Sequence, residues 1–193
     1  MFGGTFDPPH IGHLVAALYS FEAISLDRLL FVVNNIPWQK VGSRPVTAAE
    51  DRFRMVEAAI AGHDGFEASR VELELGGTSS TVRTLTELRR RHPDSDLHLV
   101  LGADAAAGIP TWIDAGRLPG LCRLVVLERP GVTGEVPPGF VVDRVAMPLL
   151  SVSSTELRER LGAGLRVDWL VPEAVQAVIT ELGLYGSGGG RGA

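Results

Sequence analysis

Gly3-Gly4-Thr5-Phe6-Asp7-Pro8-Pro9-His10-Ile11-Gly12-His13 stands at the head of the chain, and its residue types describe a strand that ends in a turn and passes into a helix. The glycines, lacking Cβ atoms, let a ligand approach the backbone, and His10 falls where the helix begins. A helix starting there directs unpaired N–H groups and the positive end of its dipole at the turn, which favours an anion such as phosphate. His10 and His13 are three apart and share one helix face, and Gly12 between them predicts a flat surface for a sugar or base. The same residues also fit an ordinary capped helix start with one half-buried imidazole; the preceding strand and the amphipathic helix that follows favour the phosphate reading. Only Met1 and Phe2 precede Gly3. Either the native start lies upstream or the first strand is unusually short.

Outward from this run the pattern repeats. Leu29 to Val33, Leu97 to Leu101, Leu121 to Leu127 and Phe140 to Val142 are short apolar stretches of the kind buried in parallel sheets. Between them lie helical periods: Ile11, Leu14, Val15, Leu18 and Phe21; Phe53, Val56 and Ile60; Val82, Leu85 and Leu88; Val175, Val178, Ile179 and Leu182. The alternation predicts an α/β fold, a Rossmann-like open parallel sheet with helices on both faces, in a single domain over residues 1–185. Thr47 with Glu50 predicts a capping box, Ser154 and Thr155 a helix start before Leu157, and Pro172 the first turn of the last helix. Residues 130–138 read as a Gly/Pro-rich loop, and the Gly-rich tail 186–193 as disordered. No internal repeat is present.

Eighteen Lys and Arg against 23 Asp and Glu, in 193 residues, leave a net charge of −5. That argues against a broad nucleic-acid surface but leaves room for a local cationic pocket. Cys122 is the lone cysteine; it cannot form an internal disulfide and reads as a strand residue in a reducing compartment. With no run long enough for a membrane span and no leader-like N-terminus, a cytosolic (cytoplasmic) protein is expected, and the residues leave open both a monomer and a homo-oligomer.

A second motif lies late in the chain: Ser151-Val152-Ser153-Ser154-Thr155-Glu156-Leu157-Arg158. Hydroxyls at a helix start can bond phosphate oxygens, and Arg158 one turn in can add bidentate contacts. Alone this is an ordinary capped helix. Joined to the first run it resembles the nicotinate-nucleotide adenylyltransferase family, within the superfamily that shares the HxGH signature with class I aminoacyl-tRNA synthetases. The resemblance spans Gly3 to about Leu184. It includes Pro37-Trp38-Gln39-Lys40, Ser80-Thr81-Val82-Arg83-Thr84-Leu85, Gly102-Ala103-Asp104, Trp112 and Arg129-Pro130-Gly131.

The resemblance implies transfer of AMP from ATP to nicotinate mononucleotide, giving nicotinate adenine dinucleotide and pyrophosphate in NAD biosynthesis. A phosphate monoester is mostly dianionic at neutral pH, with a second pKa of about 6, so the nucleophile needs no general base. What remains is alignment and charge stabilisation. His10, His13 and Arg158 are the implied catalytic residues. Gly3, Gly4, Thr5, Phe6, Gly12, Gly102, Asp104, Ser153, Ser154 and Thr155 are implied to bind ATP alongside Arg158. Mg²⁺ is implied as the ion carried with ATP, with no dedicated protein metal site. Lys40, Thr81, Trp112 and Arg129 are implied at the nicotinate mononucleotide; Trp38 is an alternative aromatic face, Lys40 could equally be a solvated loop residue, and Asp104 a helix cap. Where the family pattern has Thr-x-Asp-Thr, this chain has Thr81-Val82-Arg83-Thr84, an acid replaced by a base.

Acceptors such as nicotinamide mononucleotide or pantetheine phosphate, and a cytidylyltransferase activity, are the nearest alternatives. Relatives that use pantetheine phosphate usually carry Thr at the first histidine, so His10 opposes that one. A non-catalytic nucleotide-binding regulator on the same fold is the alternative from another class; the presence of both histidines and Arg158 speaks against it.

Overall fold

In the computed structural model, residues 1–37, 45–128 and 135–186 are described. The strands are β1 (Phe2–Gly4), β2 (Leu29–Val33), β3 (Phe66–Ser69), β4 (His98–Gly102), β5 (Arg123–Glu128) and β6 (Val142–Ala146). They form one sheet in the order β3-β2-β1-β4-β5-β6, every pair parallel. The helices are α1 (Ile11–Ala23), α2 (Ala49–Ile60), α3 (Val71–Leu75), α4 (Thr81–Arg91), α5 (Ala103–Ala107), α6 (Ser154–Gly162) and α7 (Glu173–Glu181). Short 3-10 turns cover Ile109–Thr111, Ala115–Gly120 and Leu184–Gly186.

The central strands are apolar on both faces because both are covered. Side chains alternate along each strand: Val100, Val125 and Leu127 join one core with Phe53, Val56, Leu157 and Val175. Leu99, Leu101, Leu124 and Val126 join the other with Val82, Leu85 and Ile109. This is the expected layered architecture. No helix among the described residues is long and apolar enough to cross a membrane.

β1 is only three residues long and includes both glycines. It pairs with β2 through Phe2↔Phe31, Gly3↔Val32 and Gly4↔Val33, and with β4 through Phe2↔Val100. Because the chain winds outward from β1 to β2 and β3, then returns to β4 on β1's other side, the carboxyl ends of β1 and β4 flank the crevice where such sheets bind ligands.

Several expectations need correction. β3 and α3 have no counterpart in the apolar runs, because β3 is an edge strand with a mixed Phe-Glu-Ala-Ser sequence. β6 follows the run at Phe140–Val142 instead of coinciding with it. It too is an edge strand, and its charged residues reach its neighbour through Asp143 with Arg123 and Arg144 with Glu128. Cys122 precedes β5; its thiol lies 3.7 Å from the Leu118 carbonyl, and burial pushes its pKa up to about 11. On α1 the most buried stripe is Ala16, Ala17 and Ser20, small residues against the sheet, whereas Leu18 is 44% exposed. Thr47 does not cap α2, whose N-cap is Ala48; its hydroxyl instead donates to Tyr185 at 3.3 Å. Ser153 caps α6, which places Ser154 and Thr155 inside the first turn, and Pro172 is the N-cap of α7. Residues 187–193 of the predicted tail and residues 130–134 of the predicted loop lie outside the described residues, whereas Gly186 closes a 3-10 turn.

Candidate active site

From β1 the chain turns through Thr5 to Pro9 with little of it exposed. Phe6 takes a positive φ of 49° and packs its ring back over Gly4, where a Cβ would lie 2.8 Å from the ring. Gly4 is therefore required by Phe6, more than by a ligand. Phe6 is 2% exposed, so its predicted contact with nucleotide is limited to the backbone. The ring instead supports His13, which it meets edge-on at 5.0 Å within a cluster that includes Phe2 and Phe31.

His10 is the N-cap of α1, and its backbone N–H donates to His13 Nδ1 at 3.2 Å. An acceptor at Nδ1 leaves the proton of a neutral His13 on Nε2, the tautomer that can donate to a phosphate oxygen. The two ring centroids lie 3.8 Å apart with the planes tilted by 34°, as close as their spacing on one face predicts. Gly12 is explained differently than expected. A Cβ there would sit 3.1 Å from both the His10 ring and Val152, so the missing side chain is filled by protein. His10 is buried, its Nδ1 has no hydrogen-bond partner among the described residues, and burial lowers its pKa to about 4. At neutral pH it is an uncharged imidazole. The N-terminus of α1 is also partly used, since the Ile11 N–H donates to the Leu170 carbonyl at 2.9 Å.

The start of α6 is sewn onto this turn. Ser154 donates to the Pro8 carbonyl at 2.9 Å, and Arg158 donates to the Asp7 carbonyl at 2.7 Å and to Thr155 at 3.1 Å. Ser153 accepts from the Glu156 N–H at 3.2 Å. All three predicted hydroxyls therefore already serve the protein. They nevertheless line, with His10, Gly12, His13, Gly102 and Arg158, one cavity of about 620 Å³.

A second cavity, of about 240 Å³, lies across β1 and is lined by Gly3, Gly4, Thr5, Thr81 and Trp112. The predicted residues thus divide into two groups on either side of β1 and β4. Asp104 is exposed in the first turn of α5, one residue before Ala105 of the smaller cavity. Lys40, Trp38 and Arg129 lie outside the described residues. Arg83 turns away, donating to the carbonyls of Gly76 and Leu75.

Sequence reading missed Glu72 and Ser79 in the smaller cavity's wall, and a buried network beneath it. Glu72 is buried and accepts from the Asn35 N–H at 3.2 Å and from Thr84 at 2.8 Å. The Ser79 hydroxyl is buried with no hydrogen-bond partner among the described residues. Below, Tyr185 donates to the Asp7 carboxylate at 2.6 Å, and burial together with that bond raises the phenol's pKa. Arg52 is 1% exposed. Its signal was its spacing: it falls in register with Met55, Val56 and Ala59 on the buried face of α2.

Comparison with known proteins identifies the family and the fold. The cytidylyltransferase-like family pattern matches residues 1–160. A Thermus thermophilus protein named "Probable nicotinate-nucleotide adenylyltransferase" is 45% identical over 96% of this chain and 97% of its own. A Geobacillus thermodenitrificans protein of the same name is 41% identical over 97% of this chain and 85% of its own. The solved structure of Plasmodium falciparum nicotinic acid mononucleotide adenylyltransferase complexed with NaAD shares the fold, with a TM-score of 0.77 over 96% of this chain and 95% of that one, at 18% identity. The chain belongs to the cytidylyltransferase-like family and, within it, to the nicotinate-nucleotide adenylyltransferases.

Proposed function

We propose that this protein transfers the adenylyl group of ATP to nicotinate mononucleotide, releasing pyrophosphate, as a cytosolic enzyme of NAD biosynthesis. The observation that carries the reading is the pair of cavities on either side of β1 and β4. One gathers two imidazoles and a guanidinium; the other gathers hydroxyls and Trp112. The first suits a polyphosphate and the second a small aromatic acceptor.

The acceptor phosphate attacks the α-phosphorus of ATP; the new bond forms to its oxygen as the bond to the pyrophosphate oxygen breaks. As a dianion the acceptor gives up no proton to the enzyme. His13, through Nε2–H, and Arg158 would donate to the oxygens that gain charge. His10 would supply its donor as a neutral ring, in keeping with its lowered pKa. The amides at the start of α6 belong to a helix's unpaired set and would add further donors. Donors and a cation line this cavity, so Mg²⁺ would be held by the nucleotide's own oxygens and would neutralise part of their charge. Lys40 and Arg129 would add cations at the acceptor phosphate.

Trp112 offers its face to the cationic pyridinium ring. The Ser79 and Thr81 hydroxyls would donate to the nicotinate carboxylate. Glu72 supports a second reading, since a carboxylate in that wall would accept from the amide of nicotinamide mononucleotide and repel a carboxylate. The test is pyrophosphate release with ATP and Mg²⁺, offering each mononucleotide separately. Preference for nicotinate is expected, preference for nicotinamide would establish the second reading, and release with neither would remove both.

A further inference from the structure

The two cavities are not joined by a strand ladder alone. Arg52, buried in the core face of α2, spreads its guanidinium across three segments: Nε donates to the Thr47 carbonyl at 2.7 Å, Nη1 to that of Thr5 at 2.8 Å and Nη2 to that of Asn35 at 3.1 Å. Each carbonyl leads to a part of the site. Thr5 begins the turn that carries His10. Asn35 passes the connection on, its N–H to Glu72 and its side-chain amide to the Gly77 carbonyl at 2.8 Å. Glu72 in turn holds Thr84, so this branch ends on the loop and helix that bear Ser79 and Thr81. Thr47 reaches Asp7 through the Tyr185 hydroxyl, and the Asp7 carbonyl holds Arg158.

We infer that Arg52 is a positioning residue for adenylyl transfer: it fixes the separation and orientation of the polyphosphate turn relative to the acceptor wall. The inference rests on the transfer reading above. Burying a guanidinium is costly, and an apolar side chain of similar length would fill the same space. What the fork adds is three donors in fixed directions, which a lysine ammonium cannot reproduce. Transfer between two bound anions needs the attacking oxygen and the phosphorus brought within bonding approach along one line, so a small relative shift of the two walls is expensive while each wall can still bind its own ligand.

Arg52→Lys in the full chain tests this, with turnover and separate equilibrium binding of ATP and of the mononucleotide that the wild-type enzyme uses. A fall of about 100-fold in kcat is expected, the scale of a 1 Å misplacement, with both dissociation constants within about threefold of wild type. Asn35→Ala, at a partly exposed site, should show the same split at about tenfold in kcat because it loosens only the acceptor branch. Wild-type kcat in the folded variants, or a loss matched by weaker binding of either ligand alone, would show that Arg52 only supports the fold. Absence of turnover by the wild-type enzyme with any mononucleotide would remove the transfer reading itself, and the inference with it.

Discussion

The turn and helix proposed to seat the polyphosphate and the wall proposed to face the acceptor are assembled from different materials. On the polyphosphate side most contacts are local, with Phe6 packed over Gly4 and edge-on against His13 and with His10 capping the helix that bears His13; the one distant element, α6, is pinned to Pro8 and Asp7. On the acceptor side, Gly3, Glu72, Ser79, Thr81 and Trp112 come from four separate stretches and meet only after the sheet has formed. On the first side the hydroxyls already have protein partners. The second retains a buried hydroxyl, Ser79, which has no hydrogen-bond partner among the described residues. The proposed charge-handling side is thus one local segment joined to one distant helix, whereas the proposed recognition side is assembled from four stretches.

The sharpest way to break this contrast is His13→Ala. Loss of one preorganised donor should lower kcat by about 10³-fold while circular dichroism remains that of the wild type, because the phenylalanine cluster does not need the imidazole. Unchanged kcat would make the polyphosphate side merely structural. His10 sharpens it next through pH. Its folded pKa is about 4, below the ordinary 6.5, so between these values the unfolded chain binds the proton first. The stabilising contribution of the neutral ring is therefore complete above pH 6.5 and declines as pH falls toward 4, by roughly 3 kcal/mol at about 1.4 kcal/mol per unit. Urea unfolding of wild type and His10→Gln should show a shallower pH slope in the variant; equal slopes would place the titration elsewhere. Arg158→Met should cost about 10²-fold in kcat/KM for ATP with little change in mononucleotide affinity. A selective loss of mononucleotide binding would mean the two sides are wrongly divided. The smallest effect is expected at the acceptor wall. Ser79→Ala removes an unpartnered hydroxyl, so Tm should hold, while the KM for the mononucleotide rises about tenfold, the worth of one hydrogen bond. An unchanged KM would leave Ser79 outside the acceptor contacts.

The same division explains what could be read from the residues in order. β2, β4 and β5 were legible within a residue or two because strands buried on both faces are nearly all apolar; β3 and β6 were not, since edge strands carry charge on their open side. That His10 and His13 lie together was legible from helix spacing; that Arg158 shares their cavity was legible only through the family resemblance. The purpose of Gly12 was not, because the atoms that exclude a Cβ there include Val152, far along the chain. Arg52 and Glu72 sit among charged neighbours in Glu50-Asp51-Arg52 and Val71-Glu72-Leu73-Glu74, a composition that suggests solvent. The spacing of Arg52 on α2 hints at burial, but only the partners of both residues, mostly backbone groups of distant segments, show why they are buried.

Direct transfer between the two cavities, with no enzyme nucleophile between them, can be tested at the phosphorus itself. The α-thiophosphate analogue of ATP, chiral at that atom, would be turned over with nicotinate mononucleotide and the configuration of the dinucleotide product determined. A single in-line displacement predicts inversion. Retention would require two displacements through an adenylylated side chain, and would contradict roles for His10, His13 and Arg158 confined to binding and charge stabilisation.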